Sequence, residues 1–127
     1  EGLDNVFARH RRLAGAVRAA AASWAKGGGP ELNALDPQEW SDSVSTIRMP
    51  DGVDGEAVRA LCRDRYNVLL GGGLLAFAGM LIRIGHLGDL NEPMILGALA
   101  AVEMAYAELG IPFESGMPAA MAHLVAR

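Results

Sequence analysis

A chain of 127 residues and 13.3 kDa, 51% hydrophobic and 20% charged, is long enough for one buried core and too apolar to be disordered. Its net charge of −4, with a pI near 5.3 and ten arginines to one lysine, leaves no basic tract to neutralise phosphates and excludes nucleic acid as a partner. A single cysteine, Cys62, rules out an internal disulfide and fits a reducing, cytoplasmic setting.

The chain opens at Glu1 with neither a Met nor a secretory leader, which predicts a fragment of a longer protein. Leu3, Val6, Phe7, Leu13, Ala14, Val17, Ala21 and Trp24 recur at steps of three and four, predicting an amphipathic helix from Leu3 to Ala25. Lys26, Gly27, Gly28, Gly29 and Pro30 then stop it: a cation near the carbonyl end, glycines free to take positive φ, and a proline that cannot continue. Glu31 to Asp42 reads as a loop pinned by Trp40, and the β-branched run Val44 to Met49 as a strand closed by Pro50, Asp51 and Gly52. Asp54 is placed to cap a second helix that ends near Tyr66 and buries Ala57, Val58, Leu61 and Cys62.

Tyr66 to Ile82 is the longest uncharged run, but Asn67 and four glycines make it a turn with flanking strands rather than a membrane span. The predicted pieces are a strand at Val68 to Leu70, a glycine-rich connection from Gly71 to Gly79, and a strand from Leu81 to His86, paired as a hairpin. Asn91 and Pro93 start a third helix with Ile95, Ala98, Leu99, Val102, Tyr106 and Leu109 inward and Gly110 as its stop. A last short helix covers Pro118 to Val125. The order α-β-α-β-β-α predicts an α+β fold: a small, mostly antiparallel sheet of about three strands with helices on one side.

Several motifs are set aside on physical grounds. Gly71, Gly73 and Ala76 match the spacing of a dinucleotide-binding loop, but too few residues follow for the helix whose N-terminus would face the pyrophosphate. His10, His86 and His123 lack metal-ligand spacing with each other, a carboxylate or Cys62. Cys62 lies on a buried stripe and reads as inert, and Met80, Met94, Met104, Met117 and Met121 read as core fillers. Arg83 stands out, because strand alternation sets it on the face opposite Ile82 and Ile84, beside Gly85. A planar guanidinium there suits a carboxylate ligand held by two parallel hydrogen bonds. From spacing alone, a structural ion pair with Asp89, Glu92 or another acid is the stronger reading.

The run LIRIGHLGDLNE, Leu81 to Glu92, resembles the C-terminal signature of serine–glyoxylate and alanine–glyoxylate aminotransferases, which are class V, fold-type I pyridoxal phosphate enzymes. EGLDNVFARHRRLA at Glu1, SDSVSTIRMPDGVD at Ser41, RYNVLLGGGL at Arg65 and GALAAVEMA at Gly97 extend the resemblance over nearly the whole chain. It implies that residues 1–127 are the small C-terminal domain of such an enzyme, with Arg83 binding the substrate α-carboxylate so that the reacting bond is correctly oriented. It implies too that the Schiff-base lysine, the acid at the pyridinium nitrogen and the phosphate cup belong to a large domain upstream. No catalytic, cofactor-binding or metal residue is then expected in this chain, which alone should not transaminate. Lys26 does not match the cofactor lysine, and Met80 stands where the family often has lysine. The partners implied are the chain's own large domain, a second subunit in a homodimer, and a small amino acid or 2-oxo acid substrate. The competing reading from the residues is a stand-alone, non-catalytic domain that binds small carboxylates or a protein.

Overall fold

In the computed structural model, which describes residues 1–126, the first apolar stripe forms a 24-residue helix, α1 (Leu3–Lys26). The predicted stop works as expected: Gly28 takes φ +78°, and the Gly29 N–H turns back to the Trp24 carbonyl at 3.0 Å. The remaining elements are β1 (Glu31–Leu32), β2 (Val44–Arg48), α2 (Gly55–Tyr66), β3 (Gly71–Gly72), β4 (Leu81–Gly85), α3 (Glu92–Glu108) and α4 (Met117–Val125). Both predicted side-chain caps form. Asp54 Oδ1 accepts from Glu56 N–H at 2.9 Å, and Asn91 Oδ1 accepts from Met94 N–H at 3.0 Å.

The four strands make one antiparallel sheet in the order β1-β2-β4-β3, so the α+β expectation holds with four strands in place of about three. The extra strand, β1, lies inside the expected Glu31–Asp42 loop and pairs Glu31 with Arg48 and Leu32 with Ile47. The expected strand at Val68–Leu70 is displaced to Gly71–Gly72, where the ladder to Arg83 and Ile82 closes. Leu69 lies outside the ladder, which begins on this side at Gly71, and is 83% exposed. The hairpin pairing itself is as predicted. Trp40 does pin the loop: its indole N–H donates to Ala34 O at 2.9 Å, and the Arg18 guanidinium lies over its ring at 4.9 Å.

Ile47, Ile82 and Ile84 point to one face of the sheet, where α1 packs on β1 and β2 and α2 packs on β3 and β4. α3 packs on α1 and α2, and α4 on α1 and α3. Trp24, Tyr106 and Phe113 stack edge to face at 5.2 and 5.6 Å, a geometry worth about 0.5–1.5 kcal/mol per pair beyond area burial. Gly116, at the head of α4, has no room for a side chain: a Cβ there would stand 2.5 Å from Ala20 Cα in α1. Leu109 and Met80, Met94, Met104 and Met121 are exposed, correcting the expectation that they fill the core; Met117 alone of the five methionines so read packs against it.

Leu3, Phe7 and Leu87 are also exposed, and Val6, Phe7 and Leu87 line one shallow concavity of about 280 Å³. A second apolar group, Leu74, Leu75 and Phe77, follows β3. Uncovered apolar surface of this kind is expected to make the chain self-associate in solution. Sedimentation velocity over a concentration series tests this, and a strictly monomeric profile at high concentration contradicts it.

Candidate functional site

The face of the sheet opposite the helices carries Thr46 and Arg48 from β2, Leu81, Arg83 and Gly85 from β4, and Gly71 from β3. Arg83 sits in its middle, with Thr46 directly across on one side and Gly71 on the other. Its Nε donates to the Gly72 carbonyl at 2.8 Å. Among the described residues no carboxylate forms an ion pair with it.

The acids that spacing offered to Arg83 lie toward α1 instead. Glu92 pairs with Arg12 of α1, and Asp89 lies on the side of Arg9, whose own ion-pair partner is Glu1. The chain leaving β4 is drawn toward α1 by a double latch: Arg9 Nη1 donates to Gly88 O at 2.7 Å, and the Gly88 N–H donates to His10 Nε2 at 2.9 Å. With Asp89 and Glu92 carried that way, the structural ion pair favoured by spacing does not form.

His86 is fully buried and lies on the opposite face from Arg83. Its Nδ1 is 2.9 Å from Asp42 O, which can only accept, so the ring is protonated there and its Nε2 accepts from the Ser45 hydroxyl at 2.9 Å. It is a local structural partner between β4 and the start of β2. Burial lowers its pKa below the ordinary 6.5, so the unfolded chain takes up a proton more readily than the folded one. Stability is therefore expected to be full above about pH 6.5 and to fall as pH drops through the lowered folded pKa. Urea melts at neutral and mildly acid pH test this, and a His86→Gln variant should show a shallower decline over that range.

Cys62 is buried, with its thiol pushed up to about 11 by desolvation, which suits packing and not nucleophilic chemistry. Among the described residues no group of three or more His, Cys, Asp or Glu side chains is placed to hold a metal, and no helix is long and apolar enough to cross a membrane. A concavity of about 270 Å³ beside β2 includes Arg18, Trp40 and Thr46. Its cation is already committed, since Arg18 donates to Ser41 O and pairs with Asp42.

Glu103 is the buried group that sequence reasoning missed. Its carboxylate accepts from Trp24 Nε1 at 3.0 Å, Ser115 Oγ at 2.7 Å and Gly116 N–H at 2.8 Å, joining α1, α3 and the entry to α4. The available signal was an acid beside Val102 in an otherwise apolar stretch of helix.

No protein-family model matches the chain. It is 46% identical over 125 residues to the L-aspartate–glyoxylate aminotransferase of Paracoccus denitrificans, covering 97% of this chain and 31% of that protein. It is 50% identical over 116 residues to the serine–glyoxylate aminotransferase of Hyphomicrobium methylovorum, covering 91% of this chain and 28% of that protein. Its fold matches the crystal structure of pyridoxamine–pyruvate aminotransferase from Mesorhizobium loti with a TM-score of 0.87 at 33% identity, over 98% of this chain and 32% of that one. The chain thus spans about a third of the length of the relatives it matches. Aminotransferases of this class use pyridoxal phosphate, whose aldehyde needs a lysine amine. Lys26, the one lysine present, is exposed at the end of α1 against the sheet's helix-covered side, and does not fit that role. The sequence identities, the matching fold and the RIGHLGDLNE segment at the end of β4 agree: the chain belongs to the class V aminotransferases of the serine–glyoxylate and alanine–glyoxylate type, as a C-terminal part of them.

Proposed function

We propose that residues 1–127 are the small domain of a cytoplasmic, homodimeric, pyridoxal phosphate-dependent aminotransferase that passes an amino group from serine or alanine to glyoxylate. In this reading the cofactor is held by a large domain outside this chain, and Arg83 anchors the α-carboxylate of the substrate. The observation that carries it is the state of Arg83: a guanidinium in mid-sheet, fixed through Nε to a backbone carbonyl and paired with no acid among the described residues.

An arginine held this way is pre-oriented, so less freedom is lost when a carboxylate arrives. The ligand then completes the missing ion pair. Thr46, across from Arg83, and Gly85, two residues along the same face with open space where a Cβ would stand, leave the approach clear. Similarity to the aspartate–glyoxylate enzyme adds aspartate as a third candidate donor. The test is kcat/KM for amino donor and glyoxylate in the enzyme that contains this domain, wild type against Arg83→Ala. An unchanged value overturns the assignment.

A further inference from the structure

We infer that the two glycines of β3 form a platform that positions Arg83 for end-on capture of a carboxylate, with Gly71 as the positioning residue. This rests on the proposed role of Arg83 and adds to it the means by which the guanidinium is aimed.

Gly71 stands opposite Arg83 in the ladder, on the same face, and the arginine side chain folds across it. A Cβ at position 71 would lie 2.9 Å from Arg83 Nε and 3.1 Å from both its Cβ and its Cζ. These contacts reach along the side chain from its root to the guanidinium carbon, so a methyl group there displaces the charged head. The backbone at Gly71 is not in the positive-φ region, unlike Gly52, Gly79 or Gly88. Glycine is therefore required at 71 for space and not for conformation.

The neighbouring Gly72 does the complementary work. Its carbonyl takes the Arg83 Nε hydrogen bond at 2.8 Å, while its other side rests on α2, where a Cβ would stand 2.8 Å from Arg59 Nη1. Arg59 in turn donates through Nε to Leu70 O at 3.0 Å, so β3 is clamped from the helix side. The strand is a thin plate between two guanidinium groups. A guanidinium can offer a carboxylate either its Nε edge or the fork of its two terminal nitrogens. The Gly72 carbonyl occupies the first, which leaves the Nη1/Nη2 fork for the ligand.

A double-mutant cycle in the cofactor-loaded enzyme that contains this domain tests the platform, with kcat/KM for the amino donor as readout. Gly71→Ala is expected to lower it roughly ten- to a hundredfold, the scale of a misplacement near 1 Å, chiefly through KM. In an Arg83→Ala background the same change is expected to have no further effect, since there is no head group left to aim. An equal loss in both backgrounds would make Gly71 merely structural and overturn the inference. So would an unchanged Gly71→Ala enzyme beside a crippled Arg83→Ala one, which leaves the carboxylate reading standing. If Arg83→Ala itself is without effect, that reading falls and the platform with it. Where Gly71→Ala does not fold, Arg83→Lys decides. Lysine keeps the charge but has neither the Nε donor for Gly72 nor the fork, and retention within about threefold of wild type would overturn the platform.

Discussion

Replacing Glu103 by alanine is expected to destabilise the fold by about 3–5 kcal/mol, seen as a fall in Tm of roughly 10–20 °C. The carboxylate is buried and accepts three hydrogen bonds, from the Trp24 indole, the Ser115 hydroxyl and the Gly116 backbone N–H. Bonds to a charged acceptor contribute about 1.5–3 kcal/mol each, and the loss of this one strands two N–H donors in the interior. One is the indole of a fully buried Trp24, the other the backbone of Gly116 where α4 meets α1. Glu103→Gln separates hydrogen bonding from charge. Its carbonyl oxygen can take the place of Oε2 and keep both N–H donors, while its amide faces the Ser115 hydroxyl, which can turn to accept. The glutamine variant should lose only about 1 kcal/mol. Urea melts of the three proteins decide this, and an alanine variant within 1 kcal/mol of wild type would show that the hub carries no weight.

The second large effect is on activity. Arg83→Ala in the whole enzyme is expected to lower kcat/KM by about 2–5 kcal/mol in transition-state stabilisation, roughly thirtyfold to several thousandfold. The range reflects what is lost: a charge-assisted, two-pronged contact on a half-buried face, and with it the orientation of the substrate. Thermal stability should change far less, because Arg83 makes no ion pair among the described residues and its single backbone bond, to Gly72, lies at an edge strand. A melt alongside the kinetics separates the two. Equal losses in stability and activity would point to a structural arginine.

Helix boundaries were legible in the sequence because they depend on neighbours in the chain. Asp54 and Asn91 are capping residues followed by donors two and three positions on, and Lys26-Gly-Gly-Gly-Pro ends a helix by local chemistry alone. The strands were legible where side chains alternate, as at Val44–Arg48 and Leu81–Gly85. β1 and β3 were not. Glu31–Leu32 carries no strand signal and pairs only because β2 presents an open edge, and two glycines have little strand preference until the Arg83 ladder recruits them. At the site, alternation could single out Arg83, but its freedom from Asp89 and Glu92 depends on Arg9, Arg12 and His10, which lie some eighty residues earlier in the chain. Glu103 escaped for the same reason, since its three donors come from two other segments of the chain.

The packing of α1 against α4 also bears on how the chain is made. Synthesis delivers α1 before its partners: Ala20 meets Gly116, and the Trp24 indole meets Glu103, only once α3 and the head of α4 have followed. Until then α1 can seat on β1 and β2 but lacks the cover of α4, which leaves part of its apolar face, with Leu13, Val17 and Trp24, open to other sticky surfaces. The sheet can pair β2 with β4 before α4 exists, but closure of the helices over α1 waits for α4. Vectorial synthesis thus makes the emergence of α4 the step that completes the cover of α1, and a chain stalled before Met117 is one that chaperones must hold.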